Sequence, residues 1–317
     1  MKKRRKKSRS LKLIEFSFAW LIITTVRIVP LCIVRGISYL LGDLLFFASK
    51  RRRNIAIDNL THAFRDEKTG PEIRELARRS CRSIVFTFLE IIKLRYLFNN
   101  PGTTGMIREH TRNIEDLFRK AKKIHDESNG CIFVTPHLGN WEMLPHISSF
   151  AGIPLAAVMR PLDNEYLERL FFTNRVGEGQ FMVSKKNALF TLRKSLQKGI
   201  SIGMLPDQST AKGLIIDFFG RKATTTPIPA LLAVHYKRPI VVTACCRRPG
   251  DYRYEAFVGD PIMPGEYTSE KEEIIRITEE MTREMERVIR KYPEQYLWIH
   301  NRWKTYKGKK EFLSEQV

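Results

Sequence analysis

Short apolar runs alternate with helical patterns through the second half of the chain, and this alternation restricts the fold more than any other feature. Each run is mostly aliphatic or aromatic, which is typical of a strand buried on both faces. The runs are CIFVT (131–135), PLAAVM (154–159), FMVS (181–184), ISIGML (200–205) and PIVVTACC (239–246). Segments with helical spacing of apolar residues lie between them, at 141–150, 164–176, 187–198 and 229–236. The pattern predicts an α/β fold with a central, mainly parallel sheet flanked by helices.

Other segments extend this fold on both sides. YRYEAFV (252–258) alternates apolar and polar residues, which predicts an antiparallel addition to the sheet. Amphipathic or charged helices are predicted over Pro71–Tyr96, Ile114–Ile124 and Ser269–Tyr292, the last with a capping-box spacing at its start.

The first fifty residues combine two basic blocks, Lys2–Arg9 and Lys50–Arg53, with an apolar stretch between them. Within that stretch, Phe16–Val34 is long enough to cross a bilayer only if Arg27 is tolerated near its middle, so an interfacial anchor is an equal alternative. A cleaved signal peptide and a buried helix pair also remain open. We expect a basic, hydrophobic membrane-anchoring helical segment over 1–50. Residues 51–317 are expected to form one further domain, helical over 51–130 and α/β over 131–317.

The charge of the chain indicates an anionic partner. There are 55 Lys+Arg against 34 Asp+Glu, a net charge of +21, and residues 1–53 hold 14 basic and 2 acidic residues, so 14 − 2 = +12 of this excess. Nucleic acid, an anionic membrane surface and a phosphorylated substrate all fit such an excess. Nucleic acid is the least favoured, because no nucleic-acid-binding module is present. The five cysteines lack C-x-x-C spacing, which argues against a disulfide scaffold or a structural zinc site.

The segment CIFVTPHLGNWEML (131–144) places a histidine where chemistry usually occurs in such folds. His137 follows a predicted strand, and ligands bind beyond the carboxyl ends of parallel strands. Asn140 is predicted to cap the next helix, with Glu142 in its first turn. The turn can then fold His137 towards Glu142, whose carboxylate would hold one imidazole nitrogen and leave the other free as a general base. From the motif alone a structural histidine is the favoured interpretation, and the strand–turn–helix context makes the catalytic interpretation equal to it.

PHLGNWE (136–142) resembles the His-x4-acidic motif of glycerolipid-type acyltransferases. More narrowly, the chain resembles the late (secondary) acyltransferases of bacterial lipid A synthesis, the lauroyl/myristoyl-transferase family. Further segments match that family in the same order: RRRNIAIDNLTHAF (51–64), MRPLDN (159–164), LPDQS (205–209), FFGRKATTTP (218–227) and YPEQYLWIHNRWK (292–304). The resemblance covers the chain except for its first ten residues and its last dozen.

The resemblance implies an O-acyltransferase that moves a fatty acyl group from acyl carrier protein to a hydroxyl of a phosphorylated glycolipid, a lipid A precursor. The acyl group would arrive as a thioester on phosphopantetheine, and no cofactor, metal ion or covalent enzyme intermediate is expected. The work would be done at the cytoplasmic face of the bacterial inner membrane. His137 would be the catalytic base and Glu142 its partner, with backbone N–H groups near Gly139 holding the oxyanion. Acyl-CoA as the donor, and another glycolipid or an amino-acid lipid as the acceptor, remain alternatives.

Four further residues are candidates for binding the substrate. Arg160 and Asp207 match active-site positions of the family, and each follows a predicted strand at its carboxyl end. The fork of Arg160 suits a lipid phosphate, although a structural ion pair is the alternative. For Asp207 the alternative is simple turn chemistry. Gln208, which follows Asp207, and Asn140, which lies between His137 and Glu142, are weaker candidates.

The closing segment WIHNRWK (298–304) joins two tryptophans to basic residues. Such a composition suits a membrane interface. It also suits stacking on nucleic acid, and a packed C-terminal turn is an equal alternative to the membrane interface.

Overall fold

The computed structural model describes residues 8–97, 109, 111–159, 164–172, 180–184, 188–248, 253–304 and 306. The chain begins with four helices: α1 (Arg9–Ile28), α2 (Leu31–Ala48), α3 (Lys50–Phe64) and α4 (Gly70–Leu97). The strands that follow are β1 (Thr111–Arg112), β2 (Ile132–Val134), β3 (Leu155–Met159), β4 (Gln180–Ser184), β5 (Ser201–Met204), β6 (Leu214–Phe218), β7 (Arg221–Thr225), β8 (Ile240–Arg247) and β9 (Tyr254–Val258). The later helices are α5 (Ile114–Ser128), α6 (Met143–Phe150), α7 (Glu165–Phe172), α8 (Ala188–Gln197), α9 (Ile228–Tyr236) and α10 (Glu270–Lys291), and a 3-10 turn follows at Pro293–Gln295.

A seven-stranded sheet in the order β1-β9-β8-β2-β5-β3-β4 forms the centre of the fold. Its neighbouring pairs are parallel except for β8 with β9, which confirms both the mainly parallel sheet and the antiparallel addition. All five predicted apolar runs form strands of this sheet. β1 brings a strand into the segment 51–130, where helices alone were expected. The domain boundaries stay a prediction.

β6 and β7 form a separate antiparallel hairpin that the sequence analysis did not predict. Its turn residues Phe219 and Gly220 have φ of 53° and 73°, which suits a tight hairpin turn between twisted strands. Positive φ is uncommon for a large side chain. Phe219 keeps it because its ring is held between Phe64 and Trp298, at centroid distances of 5.8 and 5.7 Å.

The apolar N-terminal stretch forms two helices, so Phe16–Val34 is not one continuous helix. α1 ends at Ile28 and α2 begins after Pro30, which lacks an N–H for a helix interior. Among the described residues, α2 is the one helix long and apolar enough to cross a membrane by length and composition, with a mean hydropathy of 1.7. Only 22% of α2 is buried, so most of its surface is uncovered. This argues against the alternative that the N-terminal stretch is a buried helix pair. Whether the segment spans or lies in the interface stays a prediction.

Ion pairs fix α2 to the rest of the protein through α4. Asp43 accepts two hydrogen bonds from Arg78, at 2.8 and 2.7 Å, and two from Arg82, at 2.6 and 2.7 Å. The two guanidinium groups hold the pKa of Asp43 well below its usual range. At Gly42 the helices nearly touch, because an added Cβ would lie 2.4 Å from the Cα of Arg82. α4 in turn reaches the loop after β2, where the Thr87 hydroxyl donates to the carbonyl of Gly139 at 2.9 Å.

The closing segment packs as a C-terminal turn, so its interpretation as a membrane interface is wrong. Trp298 and Trp303 are 1% and 7% exposed, and the Trp298 indole donates to the carbonyl of Pro293. Arg302 is equally buried and donates to the hydroxyl of Thr225 at 2.6 Å. These contacts place the segment against the hairpin and the end of α10.

Candidate active site

His137 lies in the loop between β2 and α6, at the carboxyl edge of the sheet, as the sequence predicted. The loop is held from both sides, because its His137 carbonyl accepts from the N–H of Leu297 and its Asn140 N–H donates to the carbonyl of Cys245. Gly139 has a φ of 61°, and an added Cβ would lie 2.1 Å from the carbonyl oxygen of Cys245. Glycine is therefore required at this point of the loop.

The carboxylate bound to His137 is that of Asp207, in the loop after β5. Oδ1 of Asp207 lies 2.6 Å from Nδ1 of His137, and Oδ2 accepts from the backbone N–H of His137 at 2.9 Å. Because a buried carboxylate is an acceptor only, we assign the ring proton to Nδ1 and leave Nε2 with its lone pair. Asp207 is 2% exposed, whereas His137 keeps 18% of its side chain accessible.

The environment of this pair favours the charged imidazolium. Burial lowers the pKa of His137, but the charge and hydrogen bond of Asp207, and then the charge of Glu142, outweigh it and raise that pKa above its usual value. Burial likewise opposes ionisation of Asp207, yet the charge of His137 and its hydrogen bonds keep the pKa of Asp207 below its usual value. An imidazole that gains a proton is thus stabilised in place.

Two side chains define the accessible side of the His137 ring. The amide Nε2 of Gln208 lies 3.3 Å from Nε2 of His137, which places Gln208 at the nitrogen that carries the lone pair. The Trp141 ring packs edge-on against the imidazole, with centroids 5.2 Å apart.

Glu142 occupies a different position from the expected one. It is the N-cap residue of α6, which begins two residues later than predicted, and its side chain makes no capping bond. The hydrogen bond to an imidazole nitrogen that was expected of Glu142 is made by Asp207 at Nδ1. Glu142 acts on His137 through its charge, and it lines an apolar cavity beside the ring.

Asn140 is fully buried and does not cap α6. Its amide Nδ2 donates to Glu90 of α4 at 2.7 Å, and its backbone carbonyl accepts from the N–H of Met143. These bonds fix the shape of the loop behind His137. Substrate binding by Asn140 stays a prediction.

Arg160 lies outside the described residues. The strand before it, β3, pairs with β5, whose loop supplies Asp207.

A small apolar cavity of about 80 Å³ borders the site. Trp141 and Glu142 form its end near His137, and Leu144, Ala157 and Met204 are among its walls. A second cavity of about 60 Å³ shares Leu144 with the first and extends towards α5. An apolar chain that enters beside His137 would therefore find a desolvated path between β3, β5 and α6.

Comparison with known proteins identifies the family. The sequence pattern of the family described as bacterial lipid A biosynthesis acyltransferase matches residues 1–305. The chain belongs to this family. It is 24% identical to the lipid A biosynthesis palmitoleoyltransferase of Escherichia coli (strain K12) over 267 residues, which are 81% of this chain and 80% of the other. It is also 24% identical to the lauroyltransferase of that organism over 296 residues, covering 90% and 89% of the two chains.

Among solved structures, the crystal structure of the 1-acyl-sn-glycerophosphate (LPA) acyltransferase PlsC from Thermotoga maritima is similar, with a TM-score of 0.32 and 13% identity over 66% of this chain and 97% of that chain. This likeness is too distant to argue from.

Membership of the lipid A acyltransferase family confirms the resemblance seen in the sequence, and the chain is accordingly an O-acyltransferase.

The contact between Asp207 and His137 was not predicted, although both residues were singled out. They are 70 residues apart and meet because β5 pairs directly with β2. Glu90 was missed altogether, and no local motif marks it. In the described part of the chain, no group of three or more His, Cys, Asp and Glu side chains could hold a metal ion. Whether the enzyme needs a metal or cofactor stays a prediction.

Proposed function

We propose that this enzyme transfers a fatty acyl group from an acyl carrier protein thioester to a hydroxyl of a phosphorylated lipid A precursor, at the cytoplasmic face of the bacterial inner membrane. The observation that carries the proposal is the His137–Asp207 pair, whose imidazole packs against Trp141 in the wall of an apolar cavity. The names of the Escherichia coli relatives, which are lipid A palmitoleoyl- and lauroyltransferases, support a fatty acyl group and a lipid A acceptor.

In the proposed mechanism, Nε2 of His137 removes the proton from the acceptor hydroxyl, and the oxygen attacks the thioester carbonyl. Asp207 holds Nδ1–H and stabilises the imidazolium that forms. The tetrahedral intermediate then expels the phosphopantetheine thiolate, which takes the proton back from His137. The acyl group thus passes directly to the acceptor, without a covalent enzyme intermediate, a metal ion or a cofactor.

We propose a donor to the oxyanion other than the backbone N–H groups near Gly139 that were expected. The backbone N–H groups around Gly139 already donate hydrogen bonds within the protein. That of His137 donates to the carboxylate of Asp207, and those of Leu138, Gly139 and Asn140 donate to the backbone carbonyls of Pro136, Gln295 and Cys245, respectively. The amide of Gln208 is instead the donor that lies beside Nε2 of His137. We therefore assign Gln208 to contact with a reacting oxygen.

The cavity beside Trp141 is proposed to hold the first carbons of the acyl chain. Ala157→Leu adds three carbons to the wall of a cavity of only about 80 Å³. We expect the rate with a dodecanoyl donor to fall about tenfold or more, because even one methylene in an apolar pocket is worth a factor of 10 or more. The rate with a butanoyl donor should stay close to that of the wild type. An equal loss with both donors, or none with either, would contradict this assignment.

The pH dependence of transfer is expected to report the raised pKa of His137. The neutral imidazole is the base, so activity rises as the pH increases through that pKa. Glu142→Gln removes one of the charges that raise it, so the acidic limb of kcat/KM should move to lower pH. Glu127→Gln, on the exposed face of α5, serves as the control. A limb that does not move would show that the charge of Glu142 is not felt at His137.

The basic excess of the chain fits the proposed partners. The +12 that precedes residue 54 adjoins the exposed apolar helices and suits an anionic leaflet. An acidic carrier protein and a phosphorylated glycolipid are also anions, and their association should weaken with salt. We do not propose nucleic acid as a partner.

A panel of donors and acceptors tests the proposal. Purified enzyme should transfer acyl groups from acyl carrier protein to the lipid A precursor, faster than from acyl-CoA and faster than to other glycolipids or amino-acid lipids. Faster transfer from acyl-CoA would show that the donor in the proposed reaction is wrong. Faster transfer to another lipid would show that the acceptor is wrong.

A further inference from the structure

A cavity of about 510 Å³ lies between the N-terminal helices and the sheet. Its walls come from α2, α4, the end of β8, the start of β9 and the 3-10 turn, and neither His137 nor Asp207 lines it. Its size falls within the range of about 300–1,000 Å³ that is usual for small-molecule sites. The proposed reaction leaves this cavity without a role.

Arginines dominate the polar lining of this cavity, which we call the arginine cavity. It is lined by five arginines and three glutamates, a net charge of 5 − 3 = +2, from Arg35, Arg79, Arg82, Arg247, Arg248, Glu75, Glu90 and Glu294. Arg82 and Arg247 are already held by buried or half-buried carboxylates, Asp43 and Glu90. Arg248 has no carboxylate within 4.0 Å among the described residues, and Arg79, 62% exposed, bonds only to Glu75 of its own helix.

The guanidinium groups that are not held by buried carboxylates can bind an added anion. Two arginines facing one space suit phosphate in particular, because each planar fork can donate two parallel hydrogen bonds to it. A carboxylate-bearing ligand would meet the same forks, but it would lack the third and fourth acceptor oxygens.

The position of α2 points to a phosphate carried by a lipid. Leu31, Arg35 and Tyr39 follow one another at helical spacing and face the cavity. The neighbouring faces of the same helix expose large apolar side chains, among them Leu40 and Leu44, which are 72% and 60% exposed. A lipid whose chains lie along these faces can place its headgroup in the arginine cavity.

The floor of the cavity is bonded to the catalytic loop. Glu90 accepts from Arg247 at 2.8 Å and from the amide of Asn140 at 2.7 Å. Gln295 donates to the carbonyl of Arg247, and its own carbonyl accepts from the N–H of Gly139. A ligand in the arginine cavity would thus lie one layer of hydrogen bonds behind the loop that carries His137.

We infer that the arginine cavity binds the phosphate group of a membrane lipid. The lipid is either the phosphorylated acceptor or a phospholipid of the bilayer, which share this group. The acceptor alternative rests on the proposed function, whereas phosphate binding itself does not require that any acyl group is transferred.

The test compares two double variants that remove the same charge. Arg79→Gln with Arg248→Gln removes two arginines of the cavity that buried carboxylates do not hold. Arg119→Gln with Arg193→Gln, on α5 and α8, is the control. The full chain in neutral detergent is titrated with phosphatidic acid, a phosphorylated lipid A precursor, diacylglycerol and inorganic phosphate, and binding is followed by native mass spectrometry. Arg248→Gln alone provides a milder variant, and thermal unfolding reports whether each protein is folded.

We expect the control variant to bind each phosphate-bearing lipid as tightly as the wild type does. Arg79→Gln with Arg248→Gln should bind them about tenfold or more weakly, because the charge-assisted hydrogen bonds from both guanidinium groups are lost. Arg248→Gln alone should show a smaller loss, and diacylglycerol binding should not differ among the variants. Preference for the glycolipid identifies the acceptor as the source, and equal binding of both lipids identifies the bilayer.

Two results would overturn the inference. Equal lipid binding by the two folded double variants would show that the arginine cavity is not the site. Inorganic phosphate binding as tightly as the lipids would show that no lipid is recognised. Because these readouts need no turnover, a protein that binds phosphate but transfers no acyl group would count against the proposed function alone.

Discussion

His137→Ala is expected to lower kcat for acyl transfer by about 10²–10⁴-fold, the usual contribution of a general base. The substitution removes the nitrogen that accepts the hydroxyl proton, but it leaves the apolar cavity and the arginine cavity intact. KM should therefore change little, because the loss falls on the transition state. The measurement is steady-state transfer from a dodecanoyl carrier protein to the lipid A precursor.

The matched control is His235→Ala, an exposed histidine of α9 that is remote in the chain from the loop of His137. It should transfer at the wild-type rate. A folded His137→Ala protein with a near-wild-type kcat would rule out the proposed base.

Asp207→Asn is expected to cause a loss of similar size, about 10²–10⁴-fold in kcat. Both oxygens of Asp207 act as acceptors, one for Nδ1–H and one for the backbone N–H of His137. Asparagine offers only one acceptor. If its oxygen keeps the backbone bond, its NH₂ faces Nδ1, and the ring proton must move to Nε2. The nitrogen that should act as the base is then protonated.

Glu142→Gln separates the structural account from the one that the sequence motif suggests. Glu142 influences His137 through its charge, while Asp207 makes the hydrogen bonds. We therefore expect Glu142→Gln to lose less activity than Asp207→Asn, and the double variant of His137 and Asp207 to lose little more than His137→Ala. A larger loss for Glu142→Gln would return the partner role to Glu142.

The strands of the sheet could be predicted because burial in the centre of the fold leaves its mark on their sequences. β2 is covered on both faces and paired on both edges, so its sequence is a continuous apolar run. The order of the strands has no such local signal. The order of the strands depends on the path that each connection takes across the sheet. It places β5 next to β2, and this brings Asp207 to His137. Sequence reasoning therefore found both residues at strand ends and assigned the partner role to the carboxylate that was nearer in the chain.

Other features escaped prediction for similar reasons. The hairpin of β6 and β7 turns at Phe219 and Gly220, and its positive φ at phenylalanine is sustained by tertiary packing, without the Asn-Gly signal of a common turn. Arg247 and Glu90, 157 residues apart, form a buried pair that no spacing could reveal. The residues of the arginine cavity likewise come from five separate elements.

The His137–Asp207 pair is proposed to catalyse the transfer of an acyl chain to a lipid A precursor. Mass spectrometry of lipid A tests it most directly, in a strain that lacks this gene and is complemented with the wild type, His137→Ala or His235→Ala. We expect the deletion strain and the His137→Ala strain to lack one acyl chain, and the wild type and His235→Ala to restore it. A lipid A profile that the deletion leaves unchanged would contradict the account.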